Sequence, residues 1–142
     1  MGVGITGVTH WSIPVRDLDE AEHFYGEVLG LKHLGRLANN EMTCFTVAEH
    51  KILLCKQPIQ QLKDEEIKVH HSFVVSAESL VEAAKMFKET GVPVVGLVYR
   101  RKGFFMGREL YFYDPSGNKI ELRDPTWKEG MPEPTYDEVV AS

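Results

Sequence analysis

The sequence predicts an α+β fold in which two βαβββ modules pair their mixed sheets around a metal-binding cleft. Three observations predict it. Residues 110–122, LYFYDPSGNKIEL, alternate Leu110, Phe112, Ile120 and Leu122 with Tyr111, Tyr113, Lys119 and Glu121, and Asp114-Pro115-Ser116-Gly117 supplies a turn between them. That period of two is expected of half-buried strands. Two helix-period segments, each closed by a glycine, stand among shorter stretches of this alternating kind. Landmarks also recur: His10 and His70 are 60 positions apart and Gly30 and Gly91 are 61 apart, while Ile13 matches Phe73 and Val15 matches Val75. A repeat of that length is too long for a solenoid and reads as one unit used twice.

In order, residues 6–15 alternate, with Val8, His10, Ser12 and Pro14 on one face and Trp11, Ile13 and Val15 on the other. Asp17 is placed to cap a helix, with Glu20 at capping-box spacing. Ala21, Phe24, Tyr25, Val28 and Leu29 form its apolar face and Gly30 ends it. Residues 31–36, 42–47 and 51–56 read as strands, with Asn39-Asn40 and Glu49-His50 in the turns. The second unit repeats the pattern: a strand at 69–76, a helix at 78–90 with Leu80, Val81, Ala84 and Phe87 inward, and strands at 94–99, 109–113 and 119–123. The expected organisation of the 142 residues is one domain. Its parts are a first module at 1–57, a linker at 58–68, a second module at 69–125 and an extended C-terminal tail at 126–142 containing Pro132 and Pro134.

Composition bounds the function. Apolar residues make up 43% and charged residues 26%, ordinary for a soluble globular chain. The net charge of −5 argues against a nucleic-acid partner, which needs a basic face. No apolar run is long enough to span a bilayer, and MGVGITGVTH lacks the basic start and apolar core of a secretory signal. Cys44 and Cys55 lack metal spacing, so a cytoplasmic location with both thiols reduced is expected.

Parity selects the chemistry. His10 lies opposite Ile13 and Val15, His70 opposite Phe73 and Val75, and Glu121 opposite Ile120 and Leu122. If each apolar set packs on a helix, these three side chains face the hollow side of the sheets. Two imidazoles and one carboxylate form a facial triad with open coordination positions, suited to a divalent metal such as Fe, Mn, Zn, Ni or Co. A single histidine more often serves as a hydrogen-bonded core residue; two at matched positions with a carboxylate of the same parity favour a metal. His71 becomes the ligand if the strand slips by one residue.

The segments VTHWSIPVRDLDEAEHFYGEVLGL, VHHSFVV and LYFYDPSGNKIEL resemble the vicinal oxygen chelate superfamily of glyoxalase I, bleomycin- and fosfomycin-resistance proteins and extradiol dioxygenases. With the repeat, the resemblance covers residues 8–123. It implies paired βαβββ modules around a metal held by His10, His70 and Glu121, an active-site tyrosine at Tyr111, and a homodimer. Glyoxalase I-like members carry a fourth ligand, a glutamate, where this chain has Leu53. Extradiol enzymes carry further histidines, whose nearest equivalents here are Cys55 and Lys102. Bleomycin-binding members lack the metal triad. The resemblance therefore implies a metal-dependent enzyme that binds a small substrate through neighbouring oxygens, leaning to an extradiol dioxygenase-like member. The alternatives are a fosfomycin-resistance-type thiol transferase and a non-catalytic bleomycin-type binding protein.

The remaining candidates concern the substrate. Tyr111 can donate to an oxyanion or sit as a rim aromatic. Arg100, Arg101 and Lys102 precede Gly103 and can clamp an anion or form a solvated hairpin. Phe104, Phe105 and Met106 can wall a pocket for an aromatic substrate or make core or dimer contacts. Arg123 and Lys119 flank Glu121 on its own parity and can offset anionic charge. Trp127 and the tail can cap the cleft or meet a second subunit.

Overall fold

The computed structural model describes residues 2–142, and the chain divides into two compact units, one reaching Gln61 and the other starting at Leu62. The first holds β1 (His10–Val15), α1 (Leu18–Glu22), β2 (Lys32–Leu37), β3 (Met42–Val47) and β4 (His50–Lys56). Its sheet runs β1-β4-β3-β2, with β1 parallel to β4 and the other pairs antiparallel. The second holds β5 (His70–Val74), α2 (Ala77–Thr90), β6 (Val94–Arg100), β7 (Gly107–Tyr113) and β8 (Lys119–Asp124). Its sheet runs β5-β8-β7-β6, with β5 parallel to β8. Both sheets are mixed, and both units are βαβββ.

Local chemistry explains the elements. Asp17 caps α1 by accepting from the Glu20 amide at 2.8 Å, and Ser76 caps α2 by accepting from Ser79 at 3.1 Å. Gly91 ends α2 in the left-handed region, φ +79°, where a side chain would be strained. In the first unit Ile13, Val15, Phe45, Ile52 and Leu54 are buried, as are Leu18, Ala21, Phe24 and Tyr25 from the helical segment. A Cβ at Gly26 would lie 3.3 Å from the Phe45 ring, so helix and sheet pack closely there. In the second unit Leu80, Ala84 and Phe87 of α2 are buried, as are Leu110, Phe112, Ile120 and Leu122. The rings of Phe87 and Phe112 are 4.5 Å apart. Each fully buried side chain of this kind contributes about 1.5–3 kcal/mol.

Several boundaries differ from the sequence expectations, and four of the differences have a clear local cause. β1 begins at His10 rather than near residue 6, because the β4 ladder starts beside it and the His10–Lys51 pair is the first rung. From His23 the first helix widens into a π-turn through Val28, with the Leu29 amide donating to the Phe24 carbonyl at 2.9 Å. His50 belongs to β4; the tight turn falls at Ala48–Glu49, with Ala48 at φ +51°. The tail is not extended throughout: Thr135 caps a short helix, α3 (Tyr136–Ala141). Its Val139 and the earlier Trp127 are buried, Trp127 donates to the Pro132 carbonyl, and Tyr99 donates to the Pro134 carbonyl. The prolines mask this helix in the sequence, although Thr135 and Glu138 stand at capping-box spacing. Among the described residues no helix is long and apolar enough to cross a membrane.

One polar network lies on the helix side of the first sheet. Arg36 donates to Glu22 and Asp19, Thr43 donates to Glu22 at 2.7 Å, and His33 Nε2 lies 3.0 Å from the same carboxylate. The Arg36 hydrogen bonds, aided by Thr43 and by nearby positive charge, hold the Glu22 carboxyl down at about 2 in spite of its partial burial.

Candidate functional site

The open face of the second sheet collects polar side chains by register. Ser72 on β5 pairs with Glu121 on β8, Glu121 pairs with Tyr111 on β7, and Tyr111 pairs with Gly96 on β6. Two rungs away, on the same face, His70 pairs with Lys119. Phe112, Ile120 and Leu122 have the opposite parity and join the core. Pleating by itself therefore delivers His70, Ser72, Glu121 and Tyr111 to one face.

The structure brings His70 and Glu121 together. His70 Nε2 lies 3.4 Å from Glu121 Oε1, and Glu121 is only 3% exposed. Ser72 donates its hydroxyl to Glu121 Oε2 at 2.6 Å. On its far side the His70 ring meets the Lys68 carbonyl through Nδ1 at 2.9 Å. A carbonyl only accepts, so that contact places a proton on Nδ1 and turns Nε2 toward the carboxylate. A ring nitrogen and a buried carboxylate oxygen in that relation share a proton or a cation. A histidine oriented by a carbonyl beside a carboxylate oriented by a hydroxyl is a pair of donors of the kind divalent metals take. His71 has the opposite parity, and burial lowers its pKa.

His10 lies on β1 of the first unit, exposed, with Nδ1 2.9 Å from the Thr9 hydroxyl. Among the described residues no group of three His, Cys, Asp or Glu side chains is set to hold a metal ion.

Tyr111 is buried beside the pair, its ring 5.7 Å from the His70 ring and 5.2 Å from Lys119 Nζ. Burial pushes its phenol up to about 12; Arg100 pulls the other way, and Glu121 adds to the rise. At neutral pH the group is therefore a hydrogen-bond donor.

Sequence reasoning missed Glu109. It is 4% exposed, two residues before Tyr111 on the same face, and lies between Arg100 Nε at 2.6 Å and Arg123 Nη1 at 3.4 Å. Burial raises its pKa against the pull of Arg100, and Glu121 pushes in the same direction as burial. The available signal was its parity with Tyr111.

The other substrate candidates occupy different settings. Arg123 is buried, donates to Glu109 and to the Met106 carbonyl, and sits over the Phe105 ring at 5.7 Å. Phe104, Phe105 and Met106 are exposed in the loop leading into β7, and Lys102 is exposed in the same loop. Gly107 ends that loop, where a Cβ would run into the Asp124 carbonyl.

Residues 7–122 match the Glyoxalase/Bleomycin resistance protein/Dioxygenase superfamily. The chain belongs to that superfamily. Among superfamily members, the metallothiol transferase FosB of Staphylococcus epidermidis is 28% identical over 130 residues, covering 89% of this chain and 87% of FosB. The fosfomycin resistance protein FosX of Listeria innocua is 25% identical over 133 residues, covering 89% of this chain and 96% of FosX. The solved structure of FosX from Listeria monocytogenes, complexed with Mn(II) and sulfate, superposes with a TM-score of 0.69 at 22% identity, covering 84% of this chain and 90% of that one. This last likeness shows the shared superfamily fold, with its two four-stranded mixed sheets.

Proposed function

We propose that this superfamily member is a divalent-metal enzyme of the fosfomycin-resistance type, adding a thiol to a small oxyanionic epoxide. The observation that carries the reading is the His70–Glu121 pair, with Nε2 and a buried carboxylate oxygen facing each other at 3.4 Å. His10 is proposed as the third ligand. The names of the relatives, a metallothiol transferase and fosfomycin resistance proteins, support this reading over the dioxygenase-like one. Mn(II), bound in the FosX structure, is the first metal to test.

When bound, the metal supplies Lewis-acid polarisation of a substrate oxygen. Within the chain, the Lys68 carbonyl holds the His70 tautomer, Ser72 holds the Glu121 carboxylate, and the Tyr111 phenol donates to the developing oxyanion. In the reaction a thiol sulfur bonds an epoxide carbon, the ring C–O bond breaks, and the released oxygen takes up the thiol proton. A homodimer is part of the proposal, to be checked by sedimentation.

The test is Mn(II) titration of the whole chain, followed by turnover of fosfomycin with glutathione. His70→Ala and His10→Ala should abolish tight Mn(II) binding while the circular dichroism of the fold persists, and His71→Ala should retain the metal. A protein that takes up no divalent metal would sink the reading. Oxygen uptake with catechols, without thiol addition, would return the case to a dioxygenase.

A further inference from the structure

We propose that Cys44, Cys55 and Met42 form a binding site for a soft monovalent cation, of the Cu(I) or Ag(I) class, on the open face of the first sheet. The inference goes beyond the proposed function. It lies wholly within the first unit and does not depend on His70, Glu121 or the substrate.

Along the chain the two cysteines show no metal-ligand spacing, but strand pairing brings them together. β3 and β4 run antiparallel, and their register sets Met42 across from Cys55 and Cys44 across from Leu53. The alternate positions, Thr43, Phe45, Ile52 and Leu54, are all buried. Met42, Cys44, Leu53 and Cys55 therefore share the opposite face, where each is only partly buried. Cys55 has a thioether directly opposite and a second thiol on the diagonal. Pro14, Leu37, Ser12 and Gly35 complete these two rungs, and none of them carries a carboxylate or an imidazole. A Cβ at Gly35, across from Cys44, would meet nothing within 4 Å, so the space beside that thiol is open.

Distance decides what can join the two thiols, both of which are free. Diagonal neighbours on an antiparallel pair have Cα atoms about 7–8 Å apart, whereas a disulfide takes about 4.4–6.8 Å. Direct oxidation would have to move the strands. A cation held by two metal–sulfur bonds of about 2.3 Å spans roughly 4.6 Å between the sulfurs, against about 2 Å in a disulfide. That longer link suits the diagonal. Thiolate and thioether donors select Cu(I) over harder divalent ions. Met42, unbranched and flexible, can reach across as the third donor. The Cys44 thiol donates to the Phe45 carbonyl at 3.7 Å, a weak contact that a metal–sulfur bond outweighs. On binding, each thiol gives its proton to water and a sulfur lone pair to the cation; nothing is oxidised or reduced.

The probe is Cu(I), titrated under argon into the reduced full chain against a chromophoric Cu(I) chelator. A single equivalent should bind, both thiols should lose their reactivity toward a thiol reagent together, and excess Mn(II) should not displace the ion. Cys44→Ser and Cys55→Ser should each weaken Cu(I) binding more than about 100-fold, beyond the range of outer-shell effects. Met42→Leu, which keeps the side-chain volume, should weaken it about tenfold. Adding Cys44→Ser to Cys55→Ser should cost little more, because the shared ion is already lost. His10→Ala and His70→Ala should leave Cu(I) affinity within about twofold. The parent chain carries the test even if a serine variant misfolds: thiols that stay reactive with Cu(I) present, or that are protected one at a time by successive equivalents, would overturn the proposal. Cu(I) binding indifferent to both cysteines, or lost in His70→Ala, would overturn it as well.

Discussion

Rung for rung, the two βαβββ units can be laid side by side. In the first, Ser12 pairs with Leu53, Leu53 with Cys44 and Cys44 with Gly35. In the second, Ser72 pairs with Glu121, Glu121 with Tyr111 and Tyr111 with Gly96. His10 and His70 each sit across from a lysine two rungs before the serine. Even the ladder irregularity falls just before the glycine in both, between His33 and Gly35 and between Val94 and Gly96. Topology and register are shared, yet one rung carries Leu and Cys where the other carries Glu and Tyr. What differs is what each rung asks of its neighbours. Leu53 needs no partner, whereas a buried carboxylate at Glu121 requires partners: Ser72 donates to it and His70 Nε2 lies beside it. Strand pairing sets where a site can form, and a pair of side chains decides whether it does.

Glu121→Leu copies the first unit's rung into the second and is the most severe break. Mn(II) affinity should fall by more than about 100-fold, beyond the range of outer-shell effects, while the far-ultraviolet dichroism stays native. Metal uptake unchanged by this substitution would mean that the two rungs do not differ in the way described.

Ser72→Ala sharpens the comparison at smaller amplitude. It removes the hydroxyl that orients the carboxylate, and metal affinity should drop roughly tenfold. Ser12→Ala, with Leu53 across from it, should leave that affinity within about twofold. Equal losses at both serines, read by the same titration, would refute a special role for Ser72.

The smallest effect belongs to the first unit's own ionic network. Glu22→Gln should cost about 1–2 kcal/mol at pH 7 through weaker hydrogen bonds to Arg36 and Thr43. Glu22 has a folded pKa of about 2, lowered from 4.5. The stability it contributes is therefore fully present above about pH 4.5 and is lost as pH falls toward 2. The gap in melting temperature between parent and variant should be constant above pH 5 and close between pH 4.5 and 2. A gap that persists at pH 2 would show that the effect is not ionic.

Much of the fold was legible because its signals are local. Alternation placed Ile13 and Val15 inward, Gly91 closed α2, and the 60-residue echo of His10 in His70 revealed the duplicated unit. The π-turn after Glu22 was not legible, since it follows from how Phe24 and Tyr25 settle on the sheet, a tertiary demand with no periodic trace. Glu109 escaped notice because a single carboxylate on a strand looks the same whether it meets water or two arginines.

By itself, then, the sequence determined which side chains share a face, because pleating converts odd and even positions into two sides of a sheet without reference to any neighbour. Only the tertiary structure decided who meets whom: the Lys68 carbonyl behind His70, Ser72 on Glu121, and Glu109 between Arg100 and Arg123. Those contacts depend on strand order and register, and distant parts of the chain choose these together when they bury their apolar faces.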